Sequence, residues 1–414
     1  MVQKIKIAWF LAIRQVKRAN KWTTLLIISV MVLTFLNLVV VSGILVGLIQ
    51  GSIDAQRNYY TSDFIITKLE KKEYIEKSND IIAALNQIPE VDYYSARYGE
   101  SGTAEVNYKQ KARDTDEEKT GVNFSGIDPV AEDRLTHMSK FIIEGSFLEP
   151  GDYDKVLIGS FFVKKYTPVE APGFTALTNI YPGAKIRISL NGITREVVVK
   201  GILKSKVDDV SAKIFMVDSE LRSLIGRDDQ NVDEISVKLK PGVSPELLKN
   251  ILTKLGYNKY AKLQTFEDAQ PKFLKDIVAT FAVLGNAIGS IGLAVASITI
   301  FIVIFINAIT RRKYIGIMKG IGIDGKVIEM SYILQSIFYA LCGSMIGLVI
   351  VYGFLVPFFN AHPINFPFSD GILVATFSGT MIRVGLLMLA TLLAGYIPAR
   401  MIVRKNTLDA ILGR

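Results

Sequence analysis

The stretch Met318 to Val327, MKGIGIDGKV, holds Gly320, four further residues, and then Gly325 and Lys326. That is the spacing of a loop that cradles nucleotide phosphates. The chemistry needs more than spacing. A hydroxyl must follow the lysine to hold Mg2+, and a strand must enter and a helix leave so that backbone amides converge on the phosphates. Val327 has no hydroxyl, and NAITRRKYIGIMK reads as the charged exit of a long apolar helix, not as a buried strand. Other chemistry is equally thin. Cys342 is the single cysteine and lies in an apolar run, so disulfides and cysteine zinc sites are excluded; His137 and His362 are too few for a histidine metal cluster. Asp208 with Asp209, and Glu117 with Glu118, read as solvated charges, since nothing nearby suggests burial or tuning. No catalytic constellation stands out, and the expectation is a chain that is not itself an enzyme.

The elements that would position the glycine-rich segment are apolar. Half of the 414 residues are hydrophobic and mean hydropathy is +0.32, a balance rare in a water-soluble domain. Four runs carry the excess: Trp22 to Gln50, Ile277 to Ile309, Met330 to Phe359 and Ile372 to Ile397. Each exceeds the roughly 20 residues that a spanning helix needs. The first is too long for a signal-peptide core and reads as a retained helix. Lys4, Lys6, Arg14, Lys17, Arg18 and Lys21 precede the first run; Arg311, Arg312 and Lys313 follow the second; Arg400, Arg404 and Lys405 follow the fourth; Asn360 to Gly371 has no Lys or Arg. The excess of positive charge on cytoplasmic loops then predicts four crossings with both termini inside and the large polar segment outside. The same flanks account for much of the +9 net charge, so no nucleic-acid partner is expected.

Ahead of the first run, Ile5, Trp9, Ala12 and Val16 share one helical face and Lys6, Arg14, Lys17 and Lys21 the other, as in a helix lying on the inner membrane surface; a solvated basic tail is the alternative. From Ile277 to Thr310 no residue is charged, roughly 50 Å of helix against a hydrocarbon core of about 30 Å. The excess predicts an external helical stalk, with Leu36, Val39, Val40 and Leu284 as contacts between its two helices. Small residues recur at Gly43, Gly47 and Gly51, at Gly285, Gly289 and Gly292, and at Gly343 and Gly347, as at close helix crossings, whether between subunits or not. Arg383 falls near the middle of the fourth run. It reads as a side chain that snorkels outward from a helix beginning later, against the alternative of a contact with an anionic substrate, a lipid or a polar group on a neighbouring helix.

The external segment reads as mixed α and β. Phe64 to Ile66 and Val91 to Tyr98 read as strands, and Ser78 to Ile88 as a helix ended by Pro89. KIRISLNGITREVVVKGIL alternates about Asn191 and Gly192, a hairpin signal. Ser244 and Pro245 open a helix to Leu255, and Thr167 to Gly183, rich in proline, reads as an exposed loop.

In the segment after the second run stand Ile315, Gly316 and Ile317, then Gly322, Ile323, Asp324, Gly325, Lys326, Val327, Ile328 and Glu329; near the C-terminus stand Gly395, Pro398, Ala399, Arg400, Asp409 and Ala410. These residues and the layout of one span, a large external domain and three further spans resemble the permeases of the MacB and FtsX type, the type VII ABC transporters that include the lipoprotein-release permeases. Tyr314 and Gln335 stand where that family usually has Glu, and Thr407 where it has Pro. The resemblance implies a membrane α-helical fold of four transmembrane helices with a large mixed α+β extracytoplasmic domain between helices 1 and 2. The expected segments are 1–21 (cytoplasmic amphipathic helix), 22–53 (helix 1 and stalk), 54–272 (external domain), 273–310 (stalk and helix 2), 311–329 (cytoplasmic coupling segment), 330–357 (helix 3), 358–371 (short external loop), 372–397 (helix 4) and 398–414 (cytoplasmic tail).

By the same resemblance, Gly322 to Glu329 would dock into a separate ATPase subunit that binds the ATP and Mg2+, and this chain would hold no cofactor of its own. Two permease copies, identical or related, would form the complex in the cell membrane, in contact with lipids and with an envelope adaptor or lipoprotein. ATP binding would close the ATPases and the stalks would carry that movement outward, extruding or releasing a substrate. An FtsX-like device that activates a cell-wall hydrolase without transport is the alternative, and the size of the external domain speaks against it. The bare Asn191–Gly192 turn stands where the lipoprotein-release branch has a carrier-binding loop, so no lipoprotein carrier is assigned.

Overall fold

The computed structural model describes residues 2–108, 118–167, 175–270, 272–366 and 369–403. Glu117, residues 168–174 of the proline-rich loop, and Arg404, Lys405, Thr407, Asp409 and Ala410 lie outside the described residues. The chain forms two compact units: Met1–Gln50 with Phe273–Phe366 and Asp370–Arg414, and Gly51–Lys272 with Pro367–Ser369.

The first unit is helical because its sequence is apolar over lengths that leave backbone groups no partner but their own helix. Four helices have the length and composition to cross a membrane: Lys21–Thr61, Ala279–Thr310, Gly325–Ala361 and Phe377–Met401. The second begins at Lys272 in full, and the first contains π-helical turns at Asn37–Val41 and Arg57–Thr61. Leu38, Val39, Ile300, Ile304, Ile328 and Tyr332 are among the residues of their shared core, with Leu36 and Val40 packed against it. Leu284, predicted to join this contact, is instead 48% exposed: it lies beside Gly285, and it is the glycine that faces Ser42 and Leu45. A Cβ on Gly343 would sit 2.3 Å from Met31 Cβ, and one on Gly347 2.2 Å from Phe35 Cδ1, so these glycines let helices of the same chain close on one another.

The fourth helix starts at Phe377, five residues later than the hydropathy run at Ile372. Ile372–Thr376 is not helical, and its backbone has another partner: Val374 N donates to Gly43 O at 3.1 Å. Thr376 Oγ1 then accepts from Gly379 N at 3.3 Å, which caps the first turn. The N-terminal helix, Val2–Lys17, buries Ala8 and Ala12 while Ile5 and Trp9 of the expected apolar face stay 43% and 56% exposed. Its small residues permit close approach to protein, and its large ones are left outward.

The second unit is built on a mixed sheet of ten strands. These are β1 (Phe64–Thr67), β2 (Val91–Val106), β3 (Glu118–Ile127), β4 (Ile142–Gly145), β5 (Lys155–Gly159), β6 (Lys185–Leu190), β7 (Ile193–Leu203), β8 (Lys213–Val217), β9 (Glu234–Leu239) and β10 (Lys262–Thr265). The order is β10-β1-β9-β2-β3-β8-β5-β7-β4, with β6 paired to β2 and β7. β3 runs parallel to β8 and β5 parallel to β7; β6 and β7 form the expected hairpin, with φ of 48° at Asn191 and 81° at Gly192. Two positive φ values in succession are what a two-residue type I′ turn demands. β2 outruns its predicted end at Tyr98, pairing with β9 up to Arg97 and with β3 from Arg97 onward. It thereby serves two hydrophobic cores, one around Phe64, Ile81, Val237 and Leu248, the other around Phe124, Phe162, Ile188 and Ile214. The helix Pro245–Lys254 follows Ser244 as predicted, though the serine side chain makes no capping bond.

Candidate functional site

The glycine-rich segment is a turn locked by helix-end chemistry at both sides. A short helix, Arg312–Gly320, ends with Gly322 at φ +91°. Ile323 N donates to Met318 O and Gly322 N to Lys319 O, both at 3.0 Å, the paired bonds of a Schellman stop, and Met318 and Ile323 both pack onto the helical core. One residue on, Asp324 starts the third long helix: its Oδ1 accepts from Lys326 N at 3.0 Å. A helix, not a strand, leads into Gly320, and the Lys326 amide that a phosphate would need is already engaged by Asp324, so the segment lacks the entering strand and the free amide of a nucleotide loop.

Three further elements converge on the turn. Lys4 Nζ, from the N-terminal helix, lies 2.6 Å from Asp324 Oδ2, and this ammonium together with the Lys326 amide holds the Asp324 carboxyl below its usual range. Lys319 Nζ donates to Val403 O at 3.0 Å, at the end of the fourth helix. Val403 also lies against Gly325, where a Cβ would come within 3.1 Å of its Cγ1.

The predicted site residues divide in two. Gly322, Asp324 and Lys326 are exposed; Ile323, Gly325 and Glu329 are half-buried; Val327 and Ile328 are buried, Ile328 in the helical core. Pro398 and Ala399 are likewise buried within the fourth helix, while Arg400 is half-buried and donates from Nη1 to Tyr396 OH at 2.7 Å. Gln335 is buried, its Nε2 donating to Tyr339 OH at 2.9 Å. The outward face of the turn is made by residues that were not singled out as a set: Tyr314 (68% exposed), Ile317 and Ile321 (73% exposed). Their spacing of three and then four positions is one helical face, and that period was the available signal. The face is apolar, with Lys313, Asp324 and Lys326 exposed beside it in the sequence.

The sheet unit carries a separate polar cleft of about 710 Å3, whose lining includes Tyr60, Arg97, Tyr98, Lys213, Arg227 and Glu234. Its floor is an ion network. Arg97 donates to Glu132 from Nε at 2.9 Å and from Nη2 at 2.8 Å, pairs with Glu234, and stacks 4.5 Å from the Tyr60 ring. Burial opposes the Arg97 charge, but Glu132 and then Glu234 outweigh it and keep the guanidinium protonated well above its ordinary range. Lys213 Nζ lies 2.6 Å from Tyr60 OH. Burial, reinforced by the Glu234 carboxylate, pushes Tyr60 up to about 12, and burial likewise pushes Tyr98 up to about 12. Both phenols bind their proton more tightly folded than unfolded, so above the ordinary value of 10 the unfolded chain gains and the fold loses stability until about 12. Following phenolate absorbance against pH, Tyr60→Phe should delete an ionisation near pH 12; deletion of one near pH 10 would contradict the burial described here. Asp208 and Asp209 are exposed, and Asp209 Oδ2 accepts from Gln56 Nε2 at 3.3 Å.

Residues 24–255, more than half of the chain, match the family described as MacB-like periplasmic core domain, and residues 286–407 match that described as FtsX-like permease C-terminal. Over 288 residues the chain is 24% identical to the macrolide export ATP-binding/permease protein MacB of Campylobacter jejuni subsp. jejuni, covering 66% of this chain and 43% of the relative. Over 226 residues it is 24% identical to an uncharacterized ABC transporter permease of Methanocaldococcus jannaschii, covering 52% of this chain and 54% of that one. The crystal structure of the periplasmic region of MacB from Actinobacillus actinomycetemcomitans overlaps 51% of this chain and 92% of its own at 15% identity, with a TM-score of 0.36. The chain thus spans less than half the length of the MacB relative.

Proposed function

Because the chain belongs to the MacB-like periplasmic core domain family and carries an FtsX-like permease C-terminal region, we propose that it is a permease subunit driven by an ABC ATPase on another polypeptide. The observation that carries this reading is the exposed apolar face of Tyr314, Ile317 and Ile321 on a turn fixed at both ends. A soluble partner gains by covering such a face, and a rigid turn passes a push into the helix that begins at Gly325 rather than absorbing it. Nucleotide and Mg2+ belong to that partner. In this scheme two permease copies are drawn together as the ATPases close, and the long first and second helices convey the movement to the sheet domain outside. Substrate leaves or is released on the outer face, in keeping with the macrolide export function in the names of the MacB relatives. An amphiphilic cargo suits the domain's cleft, which sets tyrosine rings among charged groups.

The topology is directly testable on intact cells. With Cys342→Ser as background, Asn191→Cys should react with a membrane-impermeant thiol reagent and Lys326→Cys should react only after the membrane is opened. Both positions are exposed, so a silent Lys326→Cys reports sidedness and not burial. Labelling of Lys326→Cys on intact cells would reverse the orientation and remove the docking face from the ATPase. Mass spectrometry of what accompanies the purified chain separates the two functions: an ATPase with an adaptor indicates transport, and an ATPase with only a cell-wall hydrolase indicates signalling.

A further inference from the structure

Within the apolar part of the fourth helix stands a cation, Arg383, with no carboxylate partner among the described residues. Arg383 stands in the second turn of the fourth helix, and its Nη2 donates to Ser42 Oγ of the first helix at 2.6 Å. Serine supplies a dipole but no charge, and among the described residues no carboxylate lies within ion-pair distance of this guanidinium. A charge within a membrane span is retained only where something compensates it.

The surroundings indicate what does. Arg383 lines a groove of about 430 Å3 with Leu38, Ser42, Gly289, Leu293, Ile382 and Leu386, so one polar end meets an otherwise apolar wall. The second helix contributes Gly285 and Gly289 to the lining, so no side chain projects into the groove from those two positions, although a Cβ on Gly289 would meet Leu38 Cδ2 only at an ordinary contact distance of 3.4 Å. Ile382 and Leu386 are 65% and 46% exposed alongside it, so the groove opens sideways toward whatever surrounds the helices. Arg383 lies six residues after Phe377, about 9 Å along the helix, a depth from which its long side chain reaches toward a headgroup layer. A planar fork of donors matches a phosphate in geometry as well as charge.

We propose that this groove binds one anionic phospholipid of the outer leaflet, its phosphate on Arg383 and Ser42 and an acyl chain against Gly289, Leu293 and Leu386. The proposal rests on the reading of the four helices as membrane spans with the sheet domain outside. Charge complementarity selects the anionic lipid over a zwitterionic one, and the apolar wall selects an acyl-bearing molecule over free phosphate.

Native mass spectrometry of the full chain in mild detergent, given equimolar phosphatidylglycerol and phosphatidylcholine, tests this. Wild type should retain phosphatidylglycerol in about tenfold preference, Arg383→Gln should bring that preference to near unity, and Arg383→Lys should keep part of it. Gly289→Leu, which fills the groove, should lower retention of both lipids. Inorganic phosphate at the same concentration should not compete; if it does, the site reads the anion alone and the acyl part of the proposal fails. Equal retention of both lipids by wild type, or an unchanged preference in Arg383→Gln, overturns the proposal. So does a disulfide between two copies carrying Ile382→Cys on the Cys342→Ser background with loss of bound lipid, because a second copy then covers the groove. Failure of the membrane reading itself shows separately, as release of the chain from membranes by alkaline wash.

Discussion

Arg97→Met should destabilise the sheet domain by about 3–5 kcal/mol, the cost of leaving one member of a buried ion pair without its partner. Glu132 has no exposed surface and would keep only the bond from Ser95 Oγ at 2.7 Å, whereas Glu234, on the cleft side, is 18% exposed and can turn to water. The loss therefore belongs to Glu132. Adding Glu132→Gln should recover a substantial part of it, since a neutral amide tolerates the site better than an unpaired carboxylate. Pulse proteolysis of the full chain across a urea series measures both effects. A single variant within about 1 kcal/mol of wild type would mean that water reaches Glu132 and that the network is not the closed one described.

Ile321→Asp should cost the complex with the ATPase at least about 2 kcal/mol, roughly thirtyfold in affinity, while leaving the permease folded. Ile321 is 73% exposed and makes no part of the core, so its replacement removes apolar contact area and sets a carboxylate in its place. Lys326→Glu, on the exposed rim, should act mainly through the association rate and its salt dependence. Val327→Asp is the contrasting case: at 4% exposure it should fail by unfolding the helical core, not by releasing a partner. Affinity purification through a tag on the permease, with quantitation of the accompanying ATPase, gives the answer, and full retention of the ATPase by Ile321→Asp would remove this face from the interface.

The contrast between Ile321 and Val327 shows how far the sequence could be read. Hydropathy located the four long helices because an uninterrupted apolar run has few other solutions. The turn's place was legible as well, from Gly322 and the charges around it. Which side chains of the segment face outward was not legible, because the resemblance marks Gly322 to Glu329 as one block and does not separate buried Val327 and Ile328 from exposed Asp324 and Lys326. Hydropathy starts the fourth helix too early because Ile372–Thr376 is as apolar as a helix, while a backbone bond from Val374 N to Gly43 O is a partner that hydropathy does not report. The Arg97 network was invisible, since Glu132 and Glu234 stand 35 and 137 positions away in the chain. β2 runs past its predicted end at Tyr98 through Gly99 and Gly102, residues that weaken a strand interior and so hide its continuation in the sequence. Gly102 is required there, as a Cβ would fall 2.4 Å from Ser189 O of the neighbouring β6.

The length of β2 has a consequence for how force passes through the sheet domain. Two neighbouring hydrophobic cores within a domain ordinarily meet at a seam, and pulling across that seam opens it before either side unfolds. Here a single strand runs without interruption from one core into the other, and the closed ion network sits at the residue where its neighbours change. Tension along that strand is borne by backbone covalent bonds and by two sets of ladder hydrogen bonds in shear, so the two halves resist being pulled apart and move as one body. Within the sheet domain itself, a displacement imposed near one core is carried into the other along β2 instead of being spent in opening a joint.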